Sequence, residues 1–164
     1  MVTAFIGLGA NILDPQAQLI TALQALQNLP ETRLITWSSL YSSRPLGPQD
    51  QPDYVNAVAE IHTGLSAHLL LEQLQQQEKH QGRQKLRHWG ERCIDLDILL
   101  YGDEQMRTDD LTIPHPGLTE RDFVLQPLLE IAPALTLPDG RRLQQIVPSF
   151  DGALTQLYRP VIDL

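Results

Sequence analysis

The first third of the chain combines an apolar run of strand length with an apolar stripe at helical spacing. Residues 3–8 form the short apolar run, which predicts a buried strand. Asp14-Pro15 then indicates a helix start, because aspartate caps the first turn and proline suits its first position. The stripe that predicts this helix consists of Leu19, Leu23 and Leu26.

Two further strands are predicted before the middle of the chain. Residues 34–41 read as a second strand, which the Pro- and Gly-rich residues 45–48 end. Residues 54–61 alternate in the manner of a third strand. One face of it carries Val55, Ala57, Ala59 and Ile61, and the other carries Tyr54, Asn56 and Val58.

A second helix and a fourth strand follow. Ser66 is placed to cap the helix, and Leu70, Leu71 and Leu74 form its buried stripe, with Gln75 and Glu78 beside it. Residues 82–90 read as a loop, and residues 93–100 as the clearest strand of the chain. Alternation places Asp95 and Asp97 on one of its faces. The opposite face carries Ile94, Leu96, Ile98 and Leu100.

The order β-α-β-β-α-β predicts an α+β fold of the ferredoxin-like type. This fold has an antiparallel four-stranded sheet with two helices on one face, which leaves the other face for a ligand. A third helix over about residues 119–131, a turn at residues 138–140 and a short C-terminal helix are expected to follow. The chain shows no repeat, low-complexity run or linker, so residues 1–164 are expected to form a single domain.

Composition narrows the class of partner and the compartment. The net charge of −8 argues against duplex nucleic acid, which binds basic surfaces. A single cysteine, Cys93, cannot form an internal disulfide and favours a reducing compartment. The N-terminus lacks the basic and long apolar regions of a signal peptide, and no apolar stretch is long enough for a membrane span. We therefore expect a cytoplasmic protein with no membrane partner.

The acidic chain contains one cationic segment. Arg83, Lys85, Arg87 and Arg92 fall within ten positions, with His88 among them. Such a patch suggests a small anionic ligand, of which phosphate is the common one. The charges taken alone equally fit a solvated loop.

Asp95 and Asp97 carry the strongest chemical signal. Two carboxylates on one strand face can share hard cations, and Mg²⁺ completes its shell with substrate phosphates. Ordinary surface aspartates are the alternative, but Cys93 and Leu99 on the same face argue against a fully wet surface. The pair beside a cationic loop therefore indicates a nucleoside-triphosphate site.

Other nucleotide and metal motifs are missing from the sequence. It contains no P-loop motif, and Ile12 breaks the dinucleotide-binding pattern that Gly7 and Gly9 begin. One cysteine and no close histidine pair make a zinc site unlikely on chemical grounds. His115 is held between two prolines, which suits an imidazole aimed at a phosphate and also a purely structural histidine.

Three stretches together resemble one known family. They are GPQDQPDYVNA at residues 47–57, the segment from Gly82-Arg83 to WGERCIDLD at residues 89–97, and IPHP with RDFVL and PL within residues 113–128. In this order and spacing they resemble the 6-hydroxymethyl-7,8-dihydropterin pyrophosphokinases, which act in folate synthesis. The likeness runs from the first strand to about residue 138.

The resemblance implies a usually monomeric ferredoxin-like enzyme. The hydroxymethyl oxygen of the pterin attacks the β-phosphorus of ATP, and AMP leaves. Asp95 and Asp97 would hold two Mg²⁺ ions, while Arg83 and Arg92 would grip phosphates as catalytic residues. The ATP side would use, besides these arginines, Gln75, Glu78, Lys85, Trp89, Ile98, Leu111, Thr112, His115 and Arg121.

The resemblance also implies a pterin site. It would use Ser43, Arg44, Pro45, Leu46, Tyr54, Asn56, Trp89 and Phe123. Residues 82–89 and 45–51 would be mobile lids. Departures from the family pattern are Lys85, where a second arginine is frequent, and Ser43-Arg44, where Thr-Pro is more usual.

None of the departures removes the aspartate pair, so activity is expected to survive. Two other interpretations stay open at this point. One is a different two-metal nucleotidyl or phosphoryl transferase, and the other is a non-enzymatic ferredoxin-like module that binds a small ligand.

Overall fold

A computed structural model describes residues 1–82 and 93–164 of the chain. Two helices and five strands form its first part, and a third helix and three short strands follow. In chain order they are β1 (Val2–Ala10), α1 (Pro15–Gln27), β2 (Thr32–Trp37), β3 (Tyr41–Ser43), β4 (Tyr54–Thr63), α2 (Ala67–His80), β5 (Asp95–Tyr101), β6 (Met106–Arg107), β7 (Thr112–Ile113), α3 (Asp122–Ile131) and β8 (Thr155–Gln156).

The main sheet has the order β5-β1-β4-β3-β8, and β2 also pairs with β4. All of its pairings are antiparallel. β2 and β3 pair with successive parts of the same side of β4 and together take the place of one strand. The core order is therefore that of a four-stranded ferredoxin-like sheet. The predicted fold class is confirmed.

The predicted helix starts are also found. The side chain of Asp14 accepts a hydrogen bond from the backbone N–H of Ala17, and Pro15 begins α1. The side chain of Ser66 accepts one from the N–H of Leu69 at the start of α2. Each cap satisfies a backbone donor that the first helical turn leaves without a partner.

The single strand predicted over residues 34–41 is wrong, because it is divided at Ser38. The hydroxyl of Ser38 accepts the backbone N–H of Val58 at 2.9 Å, in place of a backbone carbonyl. A side chain that takes over a ladder hydrogen bond interrupts the strand. Pairing with β4 resumes at Tyr41.

The two faces of the sheet are covered by different elements. One face packs on α1 and α2 in a core that includes Ile6, Leu23 and Leu74. The other face carries a second core, in which Phe5 and Val58 of the sheet meet Leu128 of α3. The face that was expected to be free for a ligand is thus only partly free, because α3 covers the rest of it.

The predicted alternation of β5 holds up to Ile98 and then changes. The pairing of β1 with β5 shifts between Phe5 and Ile6, where Ile6 lies opposite Ile98 and Phe5 opposite Leu100. This bulge turns Leu100 into the α3-side core. The expectation that Leu100 shares a face with Ile98 is therefore wrong.

The C-terminal part differs most from expectation. The third helix begins at Asp122, three residues later than predicted. Instead of a C-terminal helix, the chain forms one 3₁₀ turn at Leu143–Gln145 and the short strand β8. In the described ranges 1–82 and 93–164, no helix has the length and apolar character needed to cross a membrane.

Candidate active site

Glycines form the floor of a cleft on the α3 side of the sheet. In the pairing register, Gly9 lies between Asn56 of β4 and Asp95 of β5, and Gly7 lies between Val58 and Asp97. A Cβ on Gly9 would lie 3.3 Å from Oδ1 of Asn56. These glycines line a cleft of about 200 Å³.

The two aspartates line one end of this cleft. They are two positions apart in β5, so their side chains lie on the same face, as predicted. Between them, the backbone N–H of Leu96 donates to Oε2 of Glu78 at 2.8 Å. Glu78 is buried on α2. Its carboxylate therefore anchors the backbone between the two aspartates from the helix side of the sheet.

His115 stands beside the aspartates as a neutral imidazole. Its Nε2 lies 3.9 Å from Oδ2 of Asp97, and its Nδ1 accepts the backbone N–H of Gly117 at 3.0 Å. Burial, assisted by the charge of Arg121, lowers the pKa of His115 to about 4. Because Nδ1 is an acceptor, the proton of the neutral ring is assigned to Nε2. The ring therefore presents an N–H to the cleft.

The side chain of Arg121 packs over Gly117 and lines the cleft. A Cβ on Gly117 would lie 2.5 Å from Nε and 2.6 Å from Cζ of Arg121. Burial lowers the pKa of Arg121, while the nearby charges of Asp97 and Glu120 act in the opposite direction. An arginine remains charged in such surroundings. The site thus places a partly buried guanidinium close to the carboxylates.

The other end of the cleft is aromatic and amide-lined. Asn56 is 4% exposed, and its Nδ2 donates to the hydroxyl of Ser43 at 2.7 Å. Tyr54 and Phe123 line the same region together with Leu46. An oriented amide between aromatic rings can recognise the edge and faces of a flat heterocycle.

The structure brings ten of the predicted site residues to the lining of one cleft. They are Ser43, Arg44, Leu46, Tyr54, Asn56, Asp95, Asp97, His115, Arg121 and Phe123. Pro45 adjoins this lining and is buried. Arg83, Lys85, Trp89 and Arg92 lie outside the described residues, as does the predicted lid at 82–89 apart from Gly82.

The remaining ATP-side residues lie away from the cleft lining. The side chains of Ile98 and Leu111 are buried in the core on the opposite face of the sheet. Thr112 is half-buried in β7, and Gln75 is exposed on α2.

Sequence reasoning missed several lining residues. They are Gly7, Leu8, Gly9, Gly47, Ala57, Val58, Leu99 and Val124. The spacing of Gly7 and Gly9 by two positions in a predicted strand was the available signal, because adjacent small residues on one strand face permit close approach of a ligand.

Carboxylates, a neutral imidazole N–H and a guanidinium beside an aromatic pocket define the class of site. It is one that binds phosphates at one end and a planar small molecule at the other, as in a phosphoryl-transfer enzyme. The profile of one family, 7,8-dihydro-6-hydroxymethylpterin-pyrophosphokinase (HPPK), matches residues 5–133.

Individual relatives agree with the family profile. A 2-amino-4-hydroxy-6-hydroxymethyldihydropteridine pyrophosphokinase of Haemophilus influenzae is 54% identical over 150 residues, covering 92% of this chain and 94% of its own. The enzyme of that name from Pseudomonas aeruginosa is 46% identical over 150 residues, covering 90% and 93%. The chain belongs to the 7,8-dihydro-6-hydroxymethylpterin-pyrophosphokinase family.

Solved structures support the fold. The crystal structure of an HPPK-DHPS in complex with substrates superposes with a TM-score of 0.69 at 14% sequence identity. The superposition covers 88% of this chain and 44% of the longer one. At this identity the likeness concerns the ferredoxin-like fold alone.

Proposed function

We propose that this chain transfers a pyrophosphoryl group from ATP to the hydroxymethyl group of 6-hydroxymethyl-7,8-dihydropterin in folate synthesis. The hydroxymethyl oxygen forms a bond to the β-phosphorus, the bond from that phosphorus to the bridging oxygen of the α-phosphate breaks, and AMP leaves. One observation carries the proposal: the aspartate pair on β5 and Asn56 on β4 flank the glycine floor that β1 forms between them.

The donor set at Asp95 and Asp97 fits Mg²⁺. Both are hard oxygen ligands on one strand face, and one or two carboxylates with substrate phosphates are the usual protein contribution to Mg²⁺. No group of three or more metal-ligating side chains occurs in the described part of the chain, which agrees with a site completed by the nucleotide. Two Mg²⁺ ions, when bound, would neutralise phosphate charge and make the attacking hydroxyl more acidic.

His115 and Arg121 act on the phosphates. The Nε2–H of a neutral imidazole donates a hydrogen bond without adding charge, and a guanidinium can donate two in parallel to phosphate oxygens. His115 is held in this tautomer by Gly117, and Arg121 is kept near Asp97 by its packing over the same residue. Both groups therefore stabilise negative charge where it develops.

The proposal includes further residues on the ATP side. Arg83 and Arg92 would be catalytic phosphate ligands, with Lys85 and Trp89 completing the ATP side. Gln75, Ile98, Leu111 and Thr112 would contact the nucleotide, and Glu78 would act through the backbone of Leu96. Arg83, Trp89 and Arg92 are supported by their match to the family motifs in the sequence, and the other roles rest on the family resemblance as a whole.

The pterin is bound at the amide end. Asn56 offers a donor and an acceptor to the ring edge, and Tyr54 and Phe123 offer ring faces. Ser43, Arg44, Pro45 and Leu46 form the adjoining wall, and the family resemblance adds Trp89 to the pterin-binding residues. Ser43 directs the amide of Asn56 by accepting from its Nδ2.

The proposal also covers the compartment, the oligomeric state and the partners of the enzyme. We place it in the cytoplasm, as a monomer with residues 1–164 acting as one domain. Its partners would be the two small substrates, with neither nucleic acid nor a membrane involved. The supporting observations are the single cysteine and the net charge of −8.

The direct test is AMP release from Mg-ATP in the presence and absence of 6-hydroxymethyl-7,8-dihydropterin. AMP that forms only with the pterin, together with the pterin diphosphate, is the expected result. A parallel arm offers nucleotide 3′-hydroxyls as acceptors. Turnover of these without pterin would contradict the proposal and favour another transferase, whereas pterin binding indifferent to Mg²⁺ and without AMP would favour a binding module.

A further inference from the structure

The C-terminal segment Phe150–Gly152 touches both walls of the pterin end of the cleft. On one side, the backbone N–H of Phe150 donates to the carbonyl of Glu120 at 2.8 Å, and Phe150 forms a bridge with Arg121. On the other side, the backbone N–H of Arg44 donates to the carbonyl of Gly152 at 2.8 Å. The segment thus joins the loop after β3 to the residues that begin α3.

Side chains reinforce this connection. The Phe150 and Phe123 rings meet edge to face, with centroids 5.8 Å apart and an interplanar angle of 85°. The guanidinium carbon of Arg44 lies 4.5 Å from the centroid of the Phe150 ring, and Nε of Arg44 donates to the carbonyl of Asp151 at 2.7 Å. The Arg44 side chain is therefore held against the C-terminal segment.

Gly152 occupies the narrowest point between the walls. Its N–H donates to Oδ2 of Asp122 at 2.8 Å. A Cβ on Gly152 would lie 2.9 Å from Oδ1 of Asp122 and 3.2 Å from Cβ of Ser43. Because Ser43 orients the Asn56 amide, any residue larger than glycine at 152 would press on the hydrogen bond that aims this amide.

We propose that residues 150–152 are a positioning element, the C-terminal clasp, which holds the two walls of the pterin site at the spacing that the pterin requires. Phe150 fixes the angle of the Phe123 ring, and Gly152 fixes the distance between Ser43 and Asp122. The clasp meets Arg121 through a backbone bridge, whereas the Phe150 ring contacts Phe123 and Arg44 of the pterin end, so its main effect is on pterin binding. This inference rests on the proposed function.

The test measures the KM for pterin and the KM for ATP in the wild type, Phe150→Leu, Phe150→Tyr and Gly152→Ala. Leucine keeps an apolar side chain but loses both ring contacts, so the KM for pterin should rise about three- to tenfold. Tyrosine keeps the ring and should restore the wild-type value. Gly152→Ala should raise the KM for pterin by at least as much as leucine does at 150, and the KM for ATP should stay within about twofold throughout.

The matched control is Tyr158→Ala, which removes a 45% exposed aromatic side chain that lies beyond the clasp in the sequence. It should leave both KM values unchanged. If Phe150→Leu does not fold, Gly152→Ala decides in the same way.

An unchanged KM for pterin in Phe150→Leu or Gly152→Ala, or an equal rise of both KM values, overturns the clasp while the wild type remains active. A wild type without pterin-dependent AMP release overturns the proposed function itself, and the clasp with it.

Discussion

Gly117 leaves the space that the guanidinium of Arg121 occupies. A Cβ at position 117 would lie 2.5 Å from Nε of Arg121, and the N–H of Gly117 also holds Nδ1 of His115. One residue without a side chain thus helps to place both His115 and Arg121 in the cleft. Its own φ is not in the left-handed region, so the requirement for glycine comes from packing.

Replacement of Gly117 by alanine should therefore displace Arg121. We expect kcat/KM for ATP to fall about tenfold or more, because a charge-assisted hydrogen bond to phosphate contributes roughly 1.5–3 kcal/mol. The dissociation constant for pterin should change little. Steady-state kinetics and pterin titration measure the two effects separately.

The control for this change is Gly64→Ala. A Cβ there would lie 3.1 Å from the end of the Glu31 side chain, which is a tight but less severe contact and lies outside the cleft. Wild-type kinetics in Gly117→Ala would show that Arg121 does not need the space above the glycine.

Ser43→Ala should weaken pterin binding through Asn56. The change leaves the nearly buried Nδ2 of Asn56 without the hydroxyl that accepts from it at 2.7 Å. A buried donor that loses its partner costs about 1–3 kcal/mol, so we expect the KM for pterin to rise about tenfold. Ser42→Ala, on the opposite face of β3, is the matched control. An equal effect of both changes would exclude a specific role for the Ser43 hydroxyl.

The aspartate pair was predictable from sequence because its cause is local. A strand repeats every two residues, so Asp95 and Asp97 share a face wherever the strand lies. The same argument failed for Leu100, because the bulge opposite Phe5 and Ile6 depends on pairing with β1. It failed for residues 34–41 because the Ser38 hydroxyl replaces a ladder acceptor.

The residues that hold the cleft-lining residues in place were not predictable from the sequence, since they come from distant parts of the chain. Phe150 meets Phe123 only because the C-terminal segment returns to α3. Glu78 reaches Leu96 from α2, and the sequence pattern that predicts this helix does not show that it packs behind β5. Family motifs and resemblance pointed to residues that line the cleft, whereas the residues behind them required the fold.

Glu78→Ala tests this support from behind the aspartates. It removes the acceptor that the buried Leu96 N–H uses at 2.8 Å, and we expect the free energy of unfolding to fall by about 1–3 kcal/mol. The apparent affinity for Mg²⁺ in the presence of ATP should also weaken, because the backbone between the two aspartates loses its anchor. Urea unfolding and a Mg²⁺ titration of turnover provide the two measurements.

Glu72→Ala is the control for Glu78, since Glu72 is exposed on the same helix. If Glu78→Ala unfolds like the wild type, the hydrogen bond to Leu96 contributes nothing to stability, and the assigned role is wrong.

His115 should make the metal-free protein sensitive to acid. Burial lowers its pKa to about 4 in the folded state, whereas an unfolded histidine titrates near 6.5. The stability linked to the neutral ring is thus complete above about pH 6.5 and is lost as the pH falls towards 4. The loss from this one proton is at most about 1.4 kcal/mol per pH unit.

Urea unfolding in EDTA between pH 7 and pH 4.5 measures this effect. His115→Gln should show a flatter dependence than the wild type over that range. His80→Gln, an exposed change on α2, should follow the wild type. If the free energy of unfolding depended on pH equally in His115→Gln and the wild type, the folded protein would not resist protonation of this ring.

The central claim is that the carboxylates of β5 serve a pterin-dependent transfer from ATP. Pterin-dependent AMP release by the wild type, Asp97→Asn and Asp109→Asn tests it most directly, with Asp109 as the exposed control outside the cleft. We predict AMP release by the wild type and Asp109→Asn, and turnover lower by orders of magnitude in folded Asp97→Asn. Near-normal turnover of Asp97→Asn at saturating Mg²⁺ would contradict the account.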